Sequence, residues 1–177
     1  MTIGKITMPG MRIIKTTLAV FLCLLVSLFR KEQDNNTFFA VIAAVITLKS
    51  SIKDSKQSAV VRLQATAFGA VFGLVALKLR SAIGISWHSV GYFVILSVMV
   101  FVLIWVSVQV FKSQGTALGA VVFFSIALNH VADVQAPMFA LHRFIDTLIG
   151  VLIALAVNRI LPNKLEDAEQ SASTGKD

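Results

Sequence analysis

Residues 90–111, VGYFVILSVMVFVLIWVSVQVF, hold no charged side chain. Wound as an α-helix, this stretch is roughly 33 Å long, enough to cross a hydrocarbon core of ~30 Å. It is not alone. Further apolar runs lie at 12–29, 37–50, 62–79, 115–129 and 138–161. The whole chain of 177 residues is 56% hydrophobic and 14% charged, with a mean hydropathy of +0.82. A water-soluble domain of this length is far more polar, so the solvent of these runs is a bilayer. Lipid offers nothing to bond a backbone N–H or C=O, which leaves helices or a closed barrel. The runs do not alternate polar and apolar residues as barrel strands do. The expectation is therefore an all-α, polytopic membrane helix bundle of about six transmembrane helices. Residues 1–161 form one membrane module. Residues 162–177, charged and rich in Ser and Ala, read as a disordered cytoplasmic tail.

The first run follows Lys5 and includes Arg12 and Lys15 at its start, but its apolar part ends in FRKEQDNN with no small-residue cleavage site, so it reads as an uncleaved helix. Two runs, 37–50 and 115–129, are short for a bilayer. SIKDSKQSAVVR, at 51–62, is polar and basic and reads as a loop with an amphipathic turn. A turn is expected around Gly84 and Trp87, and Pro137 suits the first turn of the last helix. With the N-terminus inside, inner segments carry Lys5, Arg12, Lys15, Lys49, Lys53, Lys56, Arg62, Lys112, Arg159, Lys164 and Lys176. Outer ones carry Arg30, Lys31, Lys78 and Arg80. This asymmetry places both termini in the cytoplasm, with Trp87 and Tyr92 in an outer aromatic belt.

The net charge of +7 lies mostly beside apolar segments, so it matches an anionic membrane surface; no nucleic-acid motif accompanies it. Cys23 is the single cysteine, and His88, His130 and His142 are isolated from one another, so no metal site is expected. No nucleophile–base set and no Gly-rich phosphate loop is present. The chain reads as a non-enzyme without cofactor, its partners being membrane lipid and a small solute.

VRLQATAFG at 61–69 and HRFIDTLIG at 142–150 share Arg, three residues, Thr, two residues, Gly. RIIKTTLA at 12–19 is a weaker copy. The second and fifth runs are also alike, FFAVIAAVITL and ALGAVVFFSIAL. The chain thus reads as two three-helix repeats, inverted in the membrane because each holds an odd number of helices. That plan is common among transporters, and short segments at matching positions point to the binding site. Arg143, Thr147, Gly150, Ala154 and Asn158 form one helical stripe; Arg62, Thr66, Gly69, Gly73 and Ala76 form its match. Gly69 with Gly73, and Gly115 with Gly119, make GxxxG pairs, and Gly150 with Ala154 a small-xxx-small pair. Such faces let backbones approach, so these stripes are expected to face protein.

The charged members differ. A charge deep in a bilayer costs roughly 2.5–3.5 kcal/mol on insertion scales. Arg62 lies at the expected helix end, where it can snorkel. Arg143 and Asp146, one turn apart, can pair. A purely structural pair is one reading. In the functional one Arg143 binds an anion, with Arg62, Thr147 and Thr66 beside it, and Asp146 is the proton-coupling carboxylate. Protonating Asp146 would free Arg143 for a substrate carboxylate and so link proton entry to anion exit. Lys15, Asn129, His130 and Asp133 are further candidates for a mouth.

The runs GMRIIKTTLAVFLCLL, FFAVIAAVITLKSSIKDS, RLQATAFGAVFGLVAL and HRFIDTLIGVLIALAVN, in this order, resemble the bacterial aromatic acid exporter family, within the fusaric-acid-resistance-like (FUSC) membrane proteins. The resemblance covers about residues 10–161. It implies a six-helix inner-membrane module and efflux of aromatic carboxylic acids or similar small anions, driven by proton-motive force. Related proteins often carry a cytoplasmic domain or a second membrane module after the sixth helix. Here a short charged tail follows, so a homo-oligomer is expected, with the glycine-lined faces as candidate contacts. The rival reading is a non-transporting membrane subunit or envelope-integrity factor.

Overall fold

The computed structural model describes residues 10–30, 37–86, 88–111, 115–129 and 135–161. Among them every regular element is helical: α1 (Met11–Arg30), α2 (Thr37–Thr47), α3 (Ile52–Ile83), α4 (Val90–Phe111), α5 (Thr116–Asn129) and α6 (Ala136–Ile160). The six apolar runs thus correspond to six helices in an all-α membrane bundle. Four of them, α1, α3, α4 and α6, are long and apolar enough to cross a bilayer. With 11 and 14 residues, α2 and α5 extend only about 16 and 21 Å, short of a ~30 Å core. Pro137 falls in the first turn of α6. Trp87, His130, Asp133, Lys5, Lys31, Lys112 and the tail at 162–177 lie outside the described residues.

The largest departure from expectation is the segment 52–61, which is helix and not loop. Its polarity places it outside an apolar run but does not prevent a helix from starting there. Ser51 caps the start: its hydroxyl accepts the Lys53 N–H at 3.2 Å, and Asp54 sits in the first turn where the helix dipole favours an acid. Ser55 ties the preceding turn by accepting the Lys49 N–H at 2.9 Å, and Ser58 donates to the Ile46 carbonyl at 3.3 Å. The other end of α3 closes on Gly84, whose φ of 71° suits the left-handed cap position. The Gly84 N–H bonds the Ser81 carbonyl and the Ile85 N–H reaches back to Arg80. The result is a helix of 32 residues, about 48 Å long.

The chain divides into two compact units. The first contains residues 1–58 and 149–177, hence α1, α2, the first turns of α3 and the C-terminal half of α6. Its core joins Ala19 and Cys23 of α1, Ala44 of α2, Leu48, and Ala154 and Val157 of α6. The second unit contains residues 59–148, hence most of α3, with α4, α5 and the first half of α6. One cluster there joins Ala76, Tyr92, Leu96, Leu103, Phe123 and Ala127. Another joins Ala70, Ile126 and Ala140. The Tyr92 hydroxyl donates to the Ala127 carbonyl at 2.7 Å, so its burial leaves no orphan donor.

Glycine sets the closest approaches. In the second unit a Cβ on Gly69 would overlap the Gly119 carbonyl oxygen and lie 2.9 Å from Val122 Cβ. In the first unit a Cβ on Gly150 would overlap the Ala40 carbonyl oxygen and lie 2.8 Å from Ala43 Cβ. The partners correspond: a carbonyl on the short helix, and the Cβ three residues further on. The repeat seen in sequence thus recurs as the same backbone contact in each unit. A Cβ on Gly73 would meet Ile126 Cβ at 3.0 Å, and one on Gly115 would meet Val61 and Ala65 at 3.1 and 3.2 Å.

Gly69→Ala and Gly150→Ala should each lower stability by about 1–3 kcal/mol, because the obstacle is backbone and cannot rotate away. Gly91→Ala, which meets nothing nearer than 3.7 Å, should change it by no more than a few tenths. Unfolding midpoints of the purified variants in detergent check both statements.

Candidate anion site

The matching stripes of α3 and α6 are turned inward. Arg62, Thr66, Gly69, Gly73 and Ala76 are all buried, as are Thr147, Gly150, Ala154 and Asn158, while Arg143 is half-buried. Their flanks, including Val71, Val75, Met138, Leu141 and Leu152, are exposed and apolar, as lipid-facing residues are. The small residues allow the helix to press against its neighbours, and the charged residues are carried in with it.

Arg62 is not at a helix end. With α3 starting at Ile52, it lies about three turns in, and it is 6% exposed. Its side chain is buried against the protein and does not extend into solvent. Its Nε and Nη1 have no hydrogen-bond partner among the described residues. Arg143 sits over the Phe139 ring, its guanidinium carbon 4.2 Å from the centroid, a cation–π arrangement that offsets part of the cost of burial. Asp146, 1% exposed, lies close enough for its charge to act on Arg143. The Thr147 hydroxyl donates to the Arg143 carbonyl at 2.9 Å, so its proton is committed within its own helix. Thr66 is buried on the face it shares with Arg62.

Between Ala59 and Leu148 the described residues include one acid, Asp146, against Arg62 and Arg143 within the spanning helices. Among the described residues of these helices the second unit therefore sets two arginines, one buried and one half-buried, against one buried carboxylate. Such a surplus in low dielectric is costly by itself and favours a small anion.

The first unit holds a polar cluster that sequence reasoning did not assemble. Lys15, 2% exposed, donates from Nζ to Asn158 Oδ1 at 3.0 Å. Asn158 Nδ2 in turn donates to Ser55 Oγ at 2.9 Å and reaches the carbonyls of Lys49 and Ser51 at 3.3 and 3.4 Å. One amide thus links the turn between α2 and α3 to the ammonium of α1. The available signal was the spacing of Lys15, Ala19 and Cys23 at four residues, which puts the lysine on the buried stripe of α1. The glycines expected to mediate a homo-oligomer are engaged within the chain: Gly69, Gly73, Gly115, Gly119 and Gly150 all meet residues of their own unit. No group of three metal-ligating side chains occurs among the described residues.

A bundle of helices, four of them long enough to span, with arginines and a carboxylate turned inward, defines a multi-pass membrane protein built around charge. The chain belongs to the aromatic acid exporter family: the family described as "Aromatic acid exporter family member 1" matches residues 7–161. That match covers every described helix, and the family is one of membrane exporters of aromatic acids. No curated protein and no solved structure matches the chain.

Asn158→Leu should leave the Lys15 ammonium without its acceptor and lower stability by about 3 kcal/mol. Lys15→Met should cost much less, and the double variant should recover part of the loss of Asn158→Leu. A double-mutant cycle on unfolding midpoints reads the coupling.

Proposed function

We propose that the chain exports small organic anions, aromatic carboxylic acids among them, from the cytoplasm by proton-coupled transport across a bacterial inner membrane, with both termini inside. The observation that carries this reading is that, among the described residues of these helices, the buried Arg62 and the half-buried Arg143 are set against one carboxylate, Asp146. In this reading Arg143 holds the substrate carboxylate, and Thr147 and Thr66 line the same inward stripes. Asp146 carries the proton. Ionised, it competes with the substrate for Arg143; protonated, it yields the place. Proton and anion are then linked at one arginine and leave together, so export is a co-transport that runs down the anion's own outward gradient. Arg62 acts from the matching position on α3. Lipid covers the exposed apolar residues of α1 and α4. A homo-oligomer, which we also propose, would use those outer faces, since the glycine faces are occupied.

The test is flux. Liposomes containing the purified protein, loaded with labelled benzoate and placed under a pH gradient, should release it faster than empty ones. Asp146→Asn should make release insensitive to the gradient, and Arg143→Ala should reduce it by at least about tenfold, both at unchanged protein level. Equal pH dependence in Asp146→Asn would remove the proton role. Absence of flux from well-folded protein would favour a non-transporting membrane subunit.

A further inference from the structure

We propose that Arg62 and the N-terminus of α5 form a carboxylate-binding subsite, distinct from the Arg143–Asp146 pair. Arg62 is more than nine-tenths buried within a membrane-spanning helix, yet its Nε and Nη1 donate to nothing among the described residues. A buried guanidinium in that condition is an anion site in want of an anion. What lies against this part of α3 is the start of α5. A Cβ on Gly115 would be 3.1 Å from Val61 Cγ1, 3.2 Å from Ala65 Cβ and 3.4 Å from the Val61 carbonyl oxygen, the residues that bracket Arg62. The first N–H groups of α5, from Thr116 to Leu118, point out of the end of the helix without an intrahelical acceptor. The helix dipole makes that end positive. Thr116 adds a hydroxyl that is buried and without a partner among the described residues.

Three kinds of donor thus lie on adjoining turns of α3 and α5: a planar guanidinium fork, backbone N–H groups and a hydroxyl. The fork matches two coplanar oxygens, which is carboxylate geometry. The surroundings, Val61, Ala65 and the apolar body of α5, suit the uncharged remainder of an aromatic acid rather than a hydrated inorganic ion. The one acid among the described residues of the same unit, Asp146, acts on Arg143. The subsite rests on the reading that the chain handles organic anions, but its test reads binding, not flux.

The experiment is equilibrium dialysis of labelled benzoate against the purified full chain in maltoside micelles, with benzamide as the uncharged isostere. Wild type should bind benzoate and not benzamide. Arg62→Gln should weaken benzoate binding by at least about tenfold, Arg62→Lys less, and Thr116→Val by about threefold. Elution volume and unfolding midpoint should be unchanged. If Arg62→Gln does not fold, Thr116→Val decides: weakened binding supports the subsite and wild-type binding overturns it. Benzoate binding intact in folded Arg62→Gln but lost in Arg143→Gln would overturn the subsite and leave the exporter reading standing. Arg62-dependent binding without any liposome flux would do the reverse. Anionic lipid held by wild type and released by Arg62→Gln, with benzoate without effect, would also overturn it.

Discussion

A carbonyl oxygen of a short helix stands where the side chain of a longer one would be. That contact occurs at Gly69 on α3 and again at Gly150 on α6, and in both cases only a hydrogen on the Cα leaves room. In lipid there is no hydrophobic gain from bringing two apolar helices together, so close van der Waals contact and polar bonds must hold them. The glycine approach supplies the first. It also fixes which face of α3 and of α6 turns inward, and on those faces lie Arg62, Thr66, Thr147, Asp146 and Asn158. The charged residues are buried because the helix face that carries them is the one that packs.

Burying charge in a bilayer protein needs compensation, and the two units provide it differently. In the first, Lys15 is held by a neutral amide that also bonds two carbonyls and a serine hydroxyl. That arrangement is closed on its protein side by several bonds to one residue. In the second, Arg143 has a ring face and the charge of Asp146, while two donor nitrogens of Arg62 have no partner among the described residues. A closed cluster holds helices in place; an open one can take a ligand. In the proposed reading the second unit is the place for solute chemistry and the first a fastening.

Much of this was legible in the sequence. Apolar runs without charge gave the six helices and the membrane. The Arg-x3-Thr-x2-Gly spacing marked α3 and α6 as matching helices, and small residues at four-residue spacing marked their inward faces. What was not legible has physical causes. Residues 52–61 are polar, and hydropathy marks membrane depth, not helicity; the signals for helix there were the Ser51 cap and Asp54. Because that stretch was read as loop, Arg62 was placed at a helix end, where it is in fact deep in α3. The partnership of Lys15 with Asn158 spans 143 residues of sequence, and no local pattern announces such a pair. The glycines were read as helix-packing residues and as candidate contacts with another copy; they pack against residues of their own unit.

The central claim is that one proton on Asp146 and one carboxylate on its arginine are linked. The most direct measurement is proton exchange on binding: benzoate added to the purified protein in weakly buffered detergent at neutral pH, with the pH change recorded. The account predicts net proton uptake, up to about one proton for each benzoate bound, and none in Asp146→Asn. Benzoate binding without proton uptake, or uptake that persists in Asp146→Asn, would contradict it.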